Sequence, residues 1–411
     1  IPWKLHFALM NMVFIMVGFY ALLSSRRMHK ALLLAIFLLF PSVIFGLLLL
    51  ANNETNSIDF LADIIRYFSP FLGFTVAIFL AGKLKSRDIE SLFVLLFSYE
   101  IFKMLLSIFN KLLDSGNIVE YAGVGFYSSA ILVIVFGFNY FFKGKRTILI
   151  AMLFLLSISL FILMPFIIVS KTNVLVMITQ SVIILYLIYQ HIRFKINKLK
   201  YFIGLFLIAL IVPTLIGSDN QTINRYEQAL NVVVNPDIPG DTSTTARIGE
   251  IQGVFHNFSE EPMNFIFGMG NGSWILAKFI DEDRNGSDDW YGLSPQNYRE
   301  KGKYVHHIHS GIFSILNRNG LIGLLFYFYF FYFGYRYSKK FVSFGRVRYL
   351  NYSKESRLVY LYGLGSVAYL GEIVALLPNN GIYGSLFWGV KVAMIPIAFR
   401  YLNLKYKALK G

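Results

Sequence analysis

The sequence contains no cysteine. That excludes a disulfide framework, thiolate catalysis, iron–sulfur clusters and cysteine-ligated zinc, and it leaves the redox compartment open. Charge is scarce as well: 15% of the 411 residues are Asp, Glu, Lys or Arg, against roughly 25% in an average soluble chain. There is no H-E-x-x-H pair, which argues against a histidine-zinc hydrolase. No Gly-Lys-Ser/Thr follows the Gly-rich run at 268–272, so it is not a phosphate-cradling P-loop. Tandem repeats, heptads and low-complexity tracts are missing. The first apolar stretch ends in Arg26-Arg27 rather than in small residues, so the pattern of a cleavable secretory signal is missing too.

What fills the chain instead is apolar. Hydrophobic residues make up 56%, and 41 Phe with 26 Tyr raise the aromatic share to 17%; mean hydropathy is +0.57. This is the composition of an all-α polytopic membrane protein. A helix needs about 20 apolar residues to cross the hydrocarbon core. Stretches of that kind lie near 5–24, 31–50, 68–82, 91–110, 125–142, 147–169, 174–190, 201–217, 311–334, 357–377 and 383–402. They predict 11 transmembrane helices. The short one at 68–82 is expected to start at Pro70, where a missing N–H costs nothing.

The formal charge of +15 then describes orientation. One set of connections carries Arg26-Arg27, Lys83 to Arg87, Lys143 to Arg146, Arg193 to Lys200, Lys339 to Arg357 and the tail from Arg400; its only acids are Asp88, Glu90 and Glu355. By the positive-inside rule this set is cytoplasmic and the alternate set faces outward. Nucleic acid is not implied. Eleven spans with a cytoplasmic C-terminus place Ile1 outside, so a twelfth span is expected upstream. The organisation by chain order is an N-terminal bundle of eight spans (1–217), one large periplasmic loop containing short helices (218–310), and a C-terminal bundle of three spans (311–411).

A loop of that length is rarely a passive connector. Asp241 to Thr245 offers helix N-caps, and Ile248, Ile251, Phe255 and Phe258 recur after it at helical spacing. Arg247 and Glu250, three apart, can share a face of that helix. His306, His307 and His309 close the loop. A histidine there serves as a base toward a hydroxyl, as an interfacial anchor or as a metal ligand; the lack of suitably spaced carboxylates weighs against metal. Lys171, in Ser170-Lys171-Thr172-Asn173, either snorkels or holds an anionic headgroup at the start of the next helix. Arg225 is a further outward cation, as a surface ion pair with Glu227 or a ligand contact. The run Gly268-Met269-Gly270-Asn271-Gly272 reads as a structural turn. Within the spans, Glu100 with Lys103, and Glu372 with Lys391, are either self-paired structure or function.

In this order, the pieces resemble the O-antigen polymerase and O-antigen ligase superfamily of bacterial envelope glycosyltransferases. Ser170-Lys171-Thr172 stands where that family has a Ser-Arg-Gly-like motif. Arg247 precedes Pro262 to Gly272, which matches a P-x-x-G-x-G-x-G stretch in outline. His309-Ser310 replaces the usual His-Asn, and Gly320-Leu321-Ile322-Gly323 follows eleven residues after His309. The resemblance covers about residues 150–330.

It implies a donor saccharide on undecaprenyl diphosphate and an acceptor hydroxyl on a lipid-linked repeat unit, for a polymerase, or on lipid A–core, for a ligase. Lys171 and Arg247 would stabilise the diphosphate leaving group, with Arg225, His306, His307 and Glu250 lining the substrate. His309 would orient or deprotonate the acceptor. Inversion at the anomeric carbon, no metal or other cofactor, location in the inner membrane, and a chain-length regulator protein as partner are the further expectations. A transporter or flippase for lipid-linked saccharide is the reading from a different class; the lack of a repeat and the polar loop weigh against it.

Overall fold

The computed structural model describes residues 16–17, 20, 29–112, 129–142, 148–167, 171–192, 242–276, 298–299, 304–305, 308, 310–348, 352–376 and 386–408. The helices are α1 His29–Ala51, α2 Ser57–Lys83, α3 Ser86–Leu112, α4 Ser129–Phe142, α5 Ile148–Ile167, α6 Lys171–Ile192, α7 Thr242–Glu260, α8 Met263–Phe267, α9 Gly311–Arg348, α10 Lys354–Ala368 and α11 Leu386–Ala408; a 3-10 helix, Tyr369–Leu376, extends α10. Three two-residue strands, β1 Ile275–Leu276, β2 Tyr298–Arg299 and β3 Tyr304–Val305, form an antiparallel sheet in the order β1-β3-β2. Everything else regular among the described residues is helical, as an all-α chain requires.

Ser57–Lys83 and Gly311–Arg346 are long and apolar enough to cross a membrane. The other described helices coincide with expected apolar stretches, except α7 and α8 in the loop. The expected stretch 201–217, and all of 5–24 but three residues, lie outside the described residues.

Three expectations about boundaries are corrected. Helix α2 starts at Ser57, not near residue 68. Asn56 closes its first turn, accepting from the Asp59 backbone N–H at 2.8 Å, and Asp59 suits the positive end of the helix dipole. Pro70 therefore lies inside the helix rather than at its start. It withdraws one backbone donor from the ladder, and beside it Ser69 Oγ donates to the Ile65 carbonyl. Helix α9 runs on to Arg348, past the expected end at 334. It is broken near its start, where Gly320 takes φ 64° and ψ −170°.

The chain divides into two compact units, each assembled from segments far apart in sequence: residues 1–76, 224–331 and 375–389 form the first, and 77–223, 332–374 and 390–411 the second. In the first, Phe60, Asp63, Tyr67 and Phe71 form one buried strip of α2 at spacings of three and four. Phe71 meets Phe326 and Tyr327 of α9 at ring-centroid distances of 4.8 and 4.9 Å. In the second, Ala130 to Phe136 of α4 are buried on every side, as befits a helix apolar all round. Close approach needs small residues: the ring of Phe154 lies over Gly137, and Ile131 over Gly365.

Candidate functional site

The loop segment 268–272 is folded by its glycines. Gly268, Gly270 and Gly272 have φ of 79°, 93° and 84°, a left-handed region that side-chain-bearing residues avoid. The result is a backbone that winds tightly against two helices. Met269 N–H donates to the Asn317 carbonyl at 2.7 Å, and Gly270 N–H to the Arg318 carbonyl at 3.1 Å. Those carbonyls sit just ahead of the break at Gly320, where a continuous helix would have used them itself. On the other side, Asn271 N–H donates to the Ser42 carbonyl of α1 at 2.9 Å. Thr55 Oγ1 donates to the Gly272 carbonyl at 2.7 Å.

Beneath this segment lies a buried ion pair. Arg318 and Asp63 are 1% and 0% exposed. Arg318 Nε donates to Asp63 Oδ2 at 2.7 Å, and the same oxygen accepts Gly272 N–H at 2.8 Å. Arg318 Nη1 donates to Ser273 Oγ at 2.9 Å, which also accepts from Asn317 Nδ2 at 3.2 Å. Arg66 stands 3.7 Å from the second Asp63 oxygen. A guanidinium whose donors meet a carboxylate, a hydroxyl and no bulk water is an anchor. It pins 272–273 to α2 and α9 together.

Helix α7 is attached to the same place. Asn257 Nδ2 donates to Met269 Sδ at 2.9 Å and to Asn317 Oδ1 at 3.5 Å. The buried strip of α7 is Glu250, Val254 and Phe258. Phe255, which the apolar spacing placed on the inner face, is 53% exposed instead; its ring meets Phe313 at 5.8 Å. Ahead of α9, Ile308 and Ser310 are both buried. The Ser310 carbonyl accepts the Ser314 N–H at 2.8 Å, and Ser314 Oγ shares a 2.8 Å hydrogen bond with Tyr67 OH.

Of the residues expected to carry chemistry, Glu250 is described in full and is buried on α7. Lys171 opens α6 and Arg247 lies in the second turn of α7, but their side chains fall outside the described residues, as do Arg225, His306, His307 and His309 entirely. Lys171 belongs to the second unit; Arg225, Arg247, Glu250 and the three histidines belong to the first. The expected turn at 268–272 is there. The structure adds that the two Gly-containing motifs pack together: a Cβ at Gly320 would overlap the Ile266 carbonyl, and one at Gly268 the Arg318 carbonyl.

No family model and no curated protein matches this chain. Its motifs and their packing therefore carry the functional argument. Sequence reasoning overlooked Asp63 and Arg318. The signal for Arg318 was present in Asn317-Arg318-Asn319, three polar residues in a row inside an apolar stretch; an ionisable residue in such a place asks for a partner. Asp63 was hidden because 51–67 reads as a polar connection.

Proposed function

We propose that this chain is a membrane glycosyltransferase of the O-antigen polymerase type. It joins undecaprenyl-diphosphate-linked oligosaccharide units into polysaccharide at the outer face of the inner membrane. One observation supports this above others: the two motif segments behind the resemblance, 262–272 and 320–323, interlock through Gly268 and Gly320 beside the helix start that follows His309. A loop that only connected two spans would have no need of a three-glycine backbone anchored on a buried ion pair.

In this reading the acceptor hydroxyl attacks the anomeric carbon of the donor. The carbon–oxygen bond to the diphosphate breaks, and the lipid diphosphate leaves with the electron pair. His309 takes the hydroxyl proton, assisted by His306 or His307. Lys171 and Arg247, with Arg225, meet the charge that develops on the leaving group. Glu250, one turn along α7 from Arg247, lines the substrate. Attack opposite the leaving group inverts the anomeric centre.

In cells lacking the native gene, Lys171→Ala, Arg247→Ala and His309→Ala should each abolish long polysaccharide ladders while the protein stays in the membrane. Normal ladders from all three would overturn the reading. Purified protein given lipid-linked repeat units without lipid A–core should extend them. Product only when lipid A–core is added would make the enzyme a ligase. Movement of intact lipid-linked saccharide across vesicles, with no new glycosidic bond, would make it a flippase.

A further inference from the structure

The Gly-rich segment lies deeper along its neighbouring helices than a surface loop. It packs against three helices of the first unit, and each contact falls well inside the helix. On α1 the partners are Ser42 and the backbone at Phe45 and Gly46, where a Cβ at Gly270 would meet the Gly46 N at 2.5 Å. On α2 they are Phe60 and Asp63, and on α9 the carbonyls of Asn317 and Arg318. At about 1.5 Å per residue, Ser42 lies roughly 13 Å short of Ala51, the last residue of α1. Asp63 and Arg318 lie roughly 9 and 10 Å past the first residues of α2 and α9. These are the ends that the charge pattern turns outward, since Lys83 closes α2, and Arg346 and Arg348 close α9, at the other.

What surrounds that level is apolar. On the outward side of Ser42, Leu47 and Leu48 of α1 are exposed; on the outward side of Asp63, so are Ile58 and Leu61 of α2. Helix α1 carries no charge from Ala31 to Ala51. Exposed side chains of this kind on two helices suit hydrocarbon, not water. The level of the Gly-rich segment is therefore below the outer surface of the hydrocarbon.

The segment meets the condition for irregular backbone at that depth, where no water completes a missing hydrogen bond. The six successive N–H groups of 268 to 273 all donate within the protein. Those of Met269 to Gly272 go to α9, α1 and α2 as described. Gly268 N–H donates to the Asn264 carbonyl at 2.8 Å, and Ser273 N–H to the Gly270 carbonyl at 3.4 Å. All six residues are buried except Met269, which is half-buried. Helix α8, which leads into the segment, is the reverse. Met263, Phe265 and Ile266 are exposed, and none of its five residues is buried. Its one polar side chain, Asn264, donates to the exposed Glu261 at 3.1 Å. A short helix with four apolar side chains and no buried one is out of place in water.

We infer that residues 262–273 form a re-entrant segment. The chain dips into the outer leaflet through α8, turns at the glycines against α1, α2 and α9, and climbs back toward β1. The acyl chains of outer-leaflet lipids cover Met263, Phe265 and Ile266. Lipid is the occupant that also accounts for the exposed apolar side chains of α1 and α2 at the same depth. Glu260 and Glu261, both exposed where α7 ends, mark the level at which the chain enters. The re-entrant path depends on membrane embedding, not on the glycosyltransferase reading, and its test reads no sugar chemistry.

Because the chain has no cysteine, an introduced one is its sole thiol label site. Met263→Cys, Phe265→Cys and Ile266→Cys are each spin-labelled in the full chain in lipid nanodiscs. Relaxation by oxygen, which collects in hydrocarbon, is compared with relaxation by a water-soluble nickel chelate. Leu325→Cys, exposed within α9, is the lipid reference, and Glu260→Cys the water reference. In the oxygen-to-nickel ratio all three labels should exceed Glu260→Cys several-fold, as Leu325→Cys does. Ratios like that of Glu260→Cys would overturn the re-entrant path. Labels that neither reagent reaches would overturn it too, since protein would then cover the face. The unsubstituted chain gives a second readout that needs no variant to fold. A phospholipid with a photoreactive diazirine on its acyl chain should leave adducts both on 263–267 and on the apolar part of α9. Adducts on α9 with none on 263–267 would again overturn it.

Discussion

Two buried polar clusters bind their carboxylates with different partners: guanidinium in the first unit, a phenol and an amide in the second. In the first unit, Arg318 and Asp63 form a buried ion pair that also meets the backbone N–H of Gly272 and the hydroxyl of Ser273, with Arg66 3.7 Å from the second Asp63 oxygen. In the second, Glu100 accepts from Tyr362 OH and Glu372 from Gln180 Nε2, each at 3.3 Å, and Glu100 Oε2 and Gln180 Oε1 are buried with no partner among the described residues. The ion pair of the first cluster holds segments far apart in sequence in register. Neutral donors make the weaker hold on a carboxylate.

The sharpest way to break this contrast is to neutralise one acid in each cluster. Asp63→Asn should cost about 3–5 kcal/mol, because it strands the buried Arg318 guanidinium. Glu100→Gln should change stability by less than about 1 kcal/mol, since an amide oxygen can still accept the Tyr362 hydroxyl. Unfolding in mixed micelles by titration with SDS measures both. Equal losses would abolish the distinction. Replacing the pair together, Asp63→Leu with Arg318→Met, should cost less than Asp63→Asn alone.

Next in size is the interlock. Gly320→Ala should destabilise by about 1–3 kcal/mol, because the left-handed φ is strained and the new methyl meets backbone rather than a movable side chain. If the glycosyltransferase reading holds, it should also shorten polysaccharide ladders. Gly82→Ala is the control from the second unit. Its Cβ would meet only Arg400 Nη1, at 3.5 Å, and it should gain about 0.5–1 kcal/mol of helix stability. The same titration checks both.

The smallest effect comes from the partly exposed pair Glu90 and Lys405. Burial raises the Glu90 carboxyl, but hydrogen bonds from Lys405 and Tyr401 outweigh it and leave the group below its ordinary value. Burial also lowers Lys405, and the bonds to Glu90 and Tyr401 leave it above its ordinary value. The depressed Glu90 contributes stability above the unfolded carboxyl value of 4.5, lost as pH falls through its lower folded value. The raised Lys405 contributes below 10.5, lost as pH rises through its higher folded value. With solvent screening, Glu90→Gln should cost about 0.2–1 kcal/mol at neutral pH and nothing in strong acid. Unfolding at the two pH values checks it.

Local pattern was legible where it sufficed to decide structure. The N-cap run at 241–245 and the spacing after it foretold α7, and the glycines of 268–272 foretold a turn. What pattern could not give was which face of α7 is buried. Tertiary contacts with Met269 and Asn317 hold Asn257, Glu250 is buried as well, and Phe255 is left half exposed, against its hydrophobicity. The start of α2 was missed for a related reason. Asp59, Asp63 and Arg66 look like a connection until Arg318, 255 residues away, is seen to bury the middle one. The 3-10 run at 369–376 has no signature in its apolar sequence. Of the candidate site, the motif segments were visible, whereas the ion pair joining them depends on a contact no local window contains.

That separation has a consequence for synthesis. At the usual 5–20 residues per second, roughly 13–50 s pass between the ribosome's joining of Asp63 and its joining of Arg318. During that interval Arg66, one turn along the same helix, is the cation at hand for the carboxylate. A chain released before residue 318 carries Asp63 on a face of α2 meant for a helix never made.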